Sequence, residues 1–104
     1  MGIFHRIDES HGRTGHTTIV APGTKITGTL RSTGGLHVDG EIDGSVEAKS
    51  YVIVAKGGVV HGDIHAREVY LDGVVNGDIW AIEVEIYDNG VCHGHIEAIR
   101  INKG

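Results

Sequence analysis

Val60-His61-Gly62-Asp63-Ile64 and, a little further on, Val75-Asn76-Gly77-Asp78-Ile79 repeat one pattern, apolar-x-Gly-x-apolar, and that pattern decides the fold. It recurs as Ile26-Thr27-Gly28-Thr29-Leu30, Ile42-Asp43-Gly44-Ser45-Val46 and Cys92-His93-Gly94-His95-Ile96, with glycines 16, 18, 15 and 17 residues apart. Two positions after each unit stands a small residue: Ser32, Ala48, Ala66, Ala81 and Ala98. Shortly after that begins an alternating apolar pair: Leu36 and Val38, Val52 and Val54, Val69 and Leu71, Val84 and Ile86, with Ile101 opening a last one. Connections from pair to next unit alternate between six residues (Val20 to Ile26, Val54 to Val60, Ile86 to Cys92) and four (Val38 to Ile42, Leu71 to Val75). The underlying period is therefore a double coil of about 33 residues.

A period of that length also fits helical repeats, but those need apolar residues every three to four positions and segments poor in glycine. Here the alternation has period two, in short runs broken by Gly or Asp-Gly, so each unit reads as one coil of short strands stacked on the next. The expectation is an all-β, single-domain parallel β-helix, a solenoid of about five coils rising about 4.8 Å each, or roughly 24 Å in all. Parallel crossovers are right-handed in about 98% of cases, so the right hand is expected. Ladders of Ile26, Ile42, Val60, Val75 and Cys92, of Leu30, Val46, Ile64, Ile79 and Ile96, and of the small residues should line the interior.

Composition agrees. Of 104 residues, 17 are glycine and one is proline, and the aromatics are one Trp, three Tyr and one Phe; that balance suits strands and tight turns. A net charge of −5 with scattered Lys and Arg provides no basic stripe for nucleic acid. The single Cys92 has no partner for a disulfide, a redox pair or a zinc knuckle, which fits a reducing cytoplasm. As a core substitute for Ile or Val it is expected to be buried and unreactive. With no apolar run of signal-peptide or membrane-span length, a cytoplasmic location is expected.

The ends of such a solenoid matter most. Residues 1–16, MGIFHRIDESHGRTGH, read as a flexible polar tail before a β-helix domain over 17–104, and the last strand runs to Ile101-Asn102-Lys103-Gly104 with no cap in view. Uncapped terminal coils offer unpaired N–H and C=O groups beside apolar ladders, which predicts association end to end. The residues expected at that contact are Val20, Ile26 and Leu30 at one end and Ile96 and Ile101 at the other. If both ends pair without closure, the assembly is a filament.

Beyond these features, residues 17–104 resemble the bactofilins, bacterial cytoskeletal proteins. The matching stretches are Thr18-Ile19-Val20-Ala21-Pro22-Gly23-Thr24-Lys25-Ile26-Thr27-Gly28, Leu36-His37-Val38-Asp39-Gly40-Glu41-Ile42-Asp43-Gly44, and Gly-Asp-Ile-x-Ala at Gly62 to Ala66 and Gly77 to Ala81. The resemblance implies a right-handed β-helix and nucleotide-independent, non-polar homopolymers built through terminal coils. It also implies association with the inner membrane through a short N-terminal apolar motif, and scaffolding of cell shape or cell-wall enzymes. That motif maps onto Met1-Gly2-Ile3-Phe4, and Ile3, Phe4 and Ile7 are the apolar cluster expected to bind membrane.

Other chemistry is weaker in the sequence. The eight histidines suggest a metal site around His61, His65, His93 and His95, but His61 and His93 fall two coils apart, roughly 9.6 Å, with Asn76 between them. No metal or cofactor is expected, and His5, His11 and His16 fall on the tail. Asp63 and Asp78 stack as an outward, solvated ladder, and Trp80, on an outer ladder between His65 and Glu97, marks either a lateral contact or a plain exposed aromatic. The enzymatic alternative is a left-handed β-helix trimer of the acyltransferase or carbonic-anhydrase kind. Its hexapeptide repeat would not drift as this one does, and no catalytic pair can be named.

Overall fold

The computed structural model describes residues 2–4, 7–9 and 17–103, all in strands and their connections with no helix. The chain winds through three strands per rung. The first rung is β1 (Gly2–Phe4), β2 (Ile7–Glu9) and β3 (Thr17–Val20), and the second is β4 (Lys25–Thr27), β5 (Leu30–Ser32) and β6 (Gly35–Val38). Next come β7 (Glu41–Asp43), β8 (Val46–Ala48) and β9 (Tyr51–Val54), then β10 (Val59–His61), β11 (Ile64–His65) and β12 (Glu68–Leu71). The last two rungs are β13 (Val74–Val75), β14 (Ile79–Trp80) and β15 (Glu83–Ile86), followed by β16 (Val91–Cys92), β17 (Ile96–Glu97) and β18 (Arg100–Lys103). Every third strand pairs in parallel, giving three six-stranded sheets: β1-β4-β7-β10-β13-β16, β2-β5-β8-β11-β14-β17 and β3-β6-β9-β12-β15-β18. This is a parallel β-solenoid, whose five glycine-marked coils follow one further rung.

The glycine of each unit is explained by how closely successive rungs approach. A Cβ added to Gly44 would lie 1.8 Å from the carbonyl oxygen of Gly28, one at Gly62 would lie 2.0 Å from that of Gly44, and those at Gly77 and Gly94 would each lie 2.2 Å from the glycine carbonyl below. No side chain fits there, so glycine recurs because the backbone at this corner stacks on itself.

The alternating connection lengths also have a local cause. Each six-residue connection closes on a turn, Thr24 N–H to Ala21 O, Gly58 N–H to Ala55 O and Gly90 N–H to Tyr87 O. In the first, Pro22 and the left-handed Gly23 (φ 83°) occupy the central positions that a type II turn requires.

Inside, like residues stack in register: Ile26, Ile42 and Val60 pair along one sheet, Leu30, Val46, Ile64, Ile79 and Ile96 along the next, and Leu36, Val52, Val69, Val84 and Ile101 along the third. Most are wholly buried, at about 1.5–3 kcal/mol for each such side chain. Ser32, the polar member of the small-residue ladder, is buried and donates to Gly35 O at 3.5 Å.

Two expectations need adjustment. Residues 1–16 are expected to be a tail, yet six of them form β1 and β2, with Ile3 in register with Ile26 and Ile7 with Leu30. The rest of that segment, with His5, His11 and His16, lies outside the described residues. Asp63 and Asp78 do more than face solvent. Asp63 Oδ1 accepts the Asp78 N–H at 3.2 Å and Asp78 Oδ1 accepts the His95 N–H at 2.9 Å, so each aspartate ties its corner to the rung above.

Candidate assembly interface

The residues expected at the two ends are placed differently. At the N-terminal end Val20, Ile26 and Leu30 are as buried as mid-rod residues, the last wholly so. Ile26 and Leu30 lie one rung inside the end, beneath β1 and β2, and Val20 lies on β3 in the first rung itself. At the other end, β16, β17 and β18 each have a neighbour on one side only. Their inward residues continue the interior ladders: Cys92 follows Val75, Ile96 follows Ile79, and Ile101 follows Val84. Here Cys92 and Ile96 are half-buried, and Ile101 is 50% exposed although Val84 directly below it is sealed. This surface is one more rung of core with nothing above it among the described residues.

Around it, outward positions are also apolar. Among the described residues the exposed large hydrophobics besides Ile101 are Ile82, Tyr87, Val91 and Ile99, in the last two coils, and Ile19 on β3. Val91 extends an outer ladder of Val59 and Val74, and Ile99 stacks on Ile82 through its N–H to Ile82 O bond at 3.0 Å. Sequence reasoning picked out Ile96 and Ile101 but not Val91 or Ile99; the signal was present as apolar residues at outward positions in adjacent coils. Lys103 takes the inward register position above Ile86, a charged residue at the edge of an otherwise apolar ladder, which is a common guard against unselective strand pairing.

Cys92 was expected to be buried and is only half so, because no rung covers it; its thiol contacts the carbonyl oxygens of Gly77 at 3.5 Å and Gly94 at 3.8 Å. The histidines are divided among local partners. His61 bridges Glu41 at 3.1 Å and Asn76 at 3.1 Å, His37 lies 3.4 Å from Asp39, and His95 lies 3.3 Å from Glu97. His65 stacks on Trp80 with ring centroids 4.7 Å apart. Among the described residues no three His, Cys, Asp or Glu side chains are grouped to hold a metal ion.

On the outer face of the third sheet, Glu68, Glu83 and Glu85 surround Tyr70. Glu68 accepts the Tyr70 hydroxyl at 2.7 Å, and this bond, with some burial and the neighbouring carboxylates, pushes the hydroxyl pKa up to about 12. Tyr87 is raised in the same direction, first by its 2.7 Å bond to Glu85. At the other end of this sheet the Tyr51 ring fills the space a Cβ on Gly35 would need, and its hydroxyl bonds Thr17 two rungs away, clasping the first rung to the third.

A sequence profile described as bactofilin, polymer-forming cytoskeletal, matches residues 18–104. The chain belongs to the bactofilin family. Bactofilin BacP of Myxococcus xanthus strain DK1622 is 34% identical over 85 residues, which cover 81% of this chain and 35% of that protein. Bactofilin BacN of the same organism is 34% identical over 56 residues, covering 54% of this chain and 50% of its own. The chain thus spans between about a third and a half of these bactofilins. No solved structure matches. Membership places the chain among cytoskeletal structural proteins rather than with the left-handed β-helix enzymes, and no helix among the described residues is long and apolar enough to cross a membrane.

Proposed function

We propose that this bactofilin assembles with itself end to end, rung upon rung, into filaments that need no nucleotide. The filaments would lie in the cytoplasm against the inner membrane, through Ile3, Phe4 and Ile7, and serve as a scaffold for cell shape or cell-wall enzymes. The observation that carries this reading is the rung of β16, β17 and β18. It has three unpaired strand edges and the inward residues Cys92, Ile96 and Ile101, in line with sealed ladders below. A second copy placed on it would repeat the pairing that holds the solenoid together, at a gain for each covered apolar side chain and with no new chemistry. Polymerisation in the family agrees with that geometry.

Membrane contact would be weak for one subunit, since three apolar side chains give marginal binding, and strong for a filament that presents many such segments at once. Negative-stain electron microscopy of the purified chain without nucleotide or metal, with sedimentation alongside, tests the assembly. Unbranched filaments a few subunit widths across or less are expected. A uniform monomer or closed trimer at all concentrations would overturn the reading.

A further inference from the structure

The corner where the third sheet passes into the first is built differently from rung to rung. The six-residue connections carry its tips, Pro22-Gly23, Lys56-Gly57 and Asp88-Asn89, all exposed, and nothing lies within 4 Å of a Cβ added to Gly23 or Gly57. The four-residue connections between them, at Asp39-Gly40 and Asp72-Gly73, are recessed. A Cβ on Gly40 would strike the carbonyl oxygens of Ala21 and Thr24, and one on Gly73 those of Ala55 and Gly58. Tips and recesses therefore alternate along the rod, like members standing two rungs, or about 9.6 Å, apart. Between the first two tips the recess is a cavity of about 440 Å³ with Lys25 and Lys56 in its lining.

Charge is spread unevenly over this ridge. In the first recess Asp39 and Glu41 already lie against His37 at 3.4 Å and His61 at 3.1 Å, whereas Lys25 and Lys56 have no ion-pair partner among the described residues. The second recess has Asp72 at its floor, and the last tip carries Asp88, which is likewise unpaired.

A second rod turned end for end can seat its tips in these recesses in two registers. Centred on the fourth rung, the Lys56 tip enters the Asp72 recess of the second copy and the Asp88 tip enters its Lys25 recess, and the two-fold symmetry makes each pair twice. Centred on the third rung, the Lys56 tip meets a recess lined by Lys25 and Lys56, and the Asp88 tip meets none. A parallel rod sets Asp88 on Asp72 and Lys56 on Lys25 in one shift and matches only Lys56 with Asp72 in the other. Opposite charges thus select the first arrangement.

We propose that this ridge is a lateral interface, at which a second filament of the same chain docks antiparallel, tip into recess, with Lys56 facing Asp72 and Asp88 facing Lys25. Four tips of two or three residues bury less than the roughly 1,000 Å² that a stable pair needs, so two free subunits part readily. A filament repeats the contact at each subunit, and pairing follows from avidity. The pairing of filaments rests on the end-to-end reading above; the contact itself does not.

The test compares the full chain with Asp88→Lys and with Asp88→Lys/Lys25→Glu, at two exposed positions that make no hydrogen bond or ion pair among the described residues. Single filaments pellet only at high centrifugal force and paired or bundled ones already at low force. Asp88→Lys is expected to cut the low-force pellet at least about fivefold and leave the high-force pellet unchanged, as about 0.5 M salt should do to the parent. The double variant should restore at least about half of the low-force pellet. Parent filaments that lie singly in electron micrographs, or an Asp88→Lys chain that bundles like the parent, would overturn the interface. Failure of the double variant to restore bundling would overturn the facing pair and the register with it. If the chain forms no filament at all, the end-to-end reading fails, and the contact is then read from amide resonances of the dispersed chain. Shifts at Lys25, Lys56, Asp72 and Asp88 that move with concentration up to about 1 mM would uphold it, and shifts that stay fixed would overturn it.

Discussion

In the second rung of this solenoid Leu30 lies beneath a further strand, and in the last rung Ile96 has none above it among the described residues. The same kinds of residue stand at both, since Leu30 and Ile96 belong to one ladder, four rung steps apart, and differ only in whether a strand lies on top. In a repeat structure stability is a sum of rung and interface terms, so a residue's worth depends on its position along the axis more than on its type. The terminal rungs, whose strands have a neighbour on one side only, are therefore the adhesive ones, and the middle carries the stability.

The largest effect should come from the glycine corner. Gly62→Ala puts a Cβ about 2.0 Å from the Gly44 carbonyl oxygen between two fixed rungs, at φ +157°, and should cost about 3 kcal/mol or more in denaturant unfolding. Gly94→Ala makes a similar clash with Gly77 O, at 2.2 Å. The last rung is free to shift outward, so the cost there should be about 1 kcal/mol. Equal costs would mean that the end rung is as firmly held as the centre.

Core truncation should separate the ends next. Leu30→Ala removes a wholly buried side chain and should cost about 3 kcal/mol, whereas Ile96→Ala, half-buried, should cost about 1 kcal/mol, both measured on dispersed chains. A third contrast concerns assembly. Ile101→Asp should shift stability by less than about 1 kcal/mol, because the side chain is half exposed, yet abolish sedimentable polymer by placing an unpaired charge within the contact. Polymer unchanged by this substitution would remove the C-terminal rung from the account.

The smallest effect lies on the side of the rod. With its pKa raised to about 12 in the folded chain against an ordinary 10.0, neutral Tyr70 adds stability that is fully present below pH 10 and is lost as the pH climbs through 12. Glu68→Gln should bring the ultraviolet titration of Tyr70 back toward 10. A midpoint that does not move would mean the hydrogen bond is not made in solution.

Most of the fold was legible because a solenoid writes its geometry into a period. The glycines at 28, 44, 62, 77 and 94 mark the backbone-stacking corner, and the two connection lengths separate corners with a closed turn from those without. What sequence could not show depends on contacts between rungs. The aspartates after Gly62 and Gly77 look like surface charges until their oxygens meet the N–H groups of the next coil. Likewise, the pattern of Ile3 and Ile7 is too short and too polar around it to read as strand, and register with Ile26 and Leu30 is what reveals it. The end residues follow from reading the first glycine coil as the first rung, whereas Ile26 and Leu30 lie one rung inside, paired with β1 and β2.

Growth along the axis is tested most directly at Cys92, the single thiol, which sits half-covered in the final rung at the head of a buried ladder. Alkylation of Cys92 should be at least about tenfold slower in pelleted polymer than in the dispersed chain, because a subunit stacked on the rung seals that position as Cys92 and its neighbours seal Val75. Equal rates in polymer and dispersed chain would contradict end-to-end stacking through this face and would mean that the filament is built from contacts along the sides.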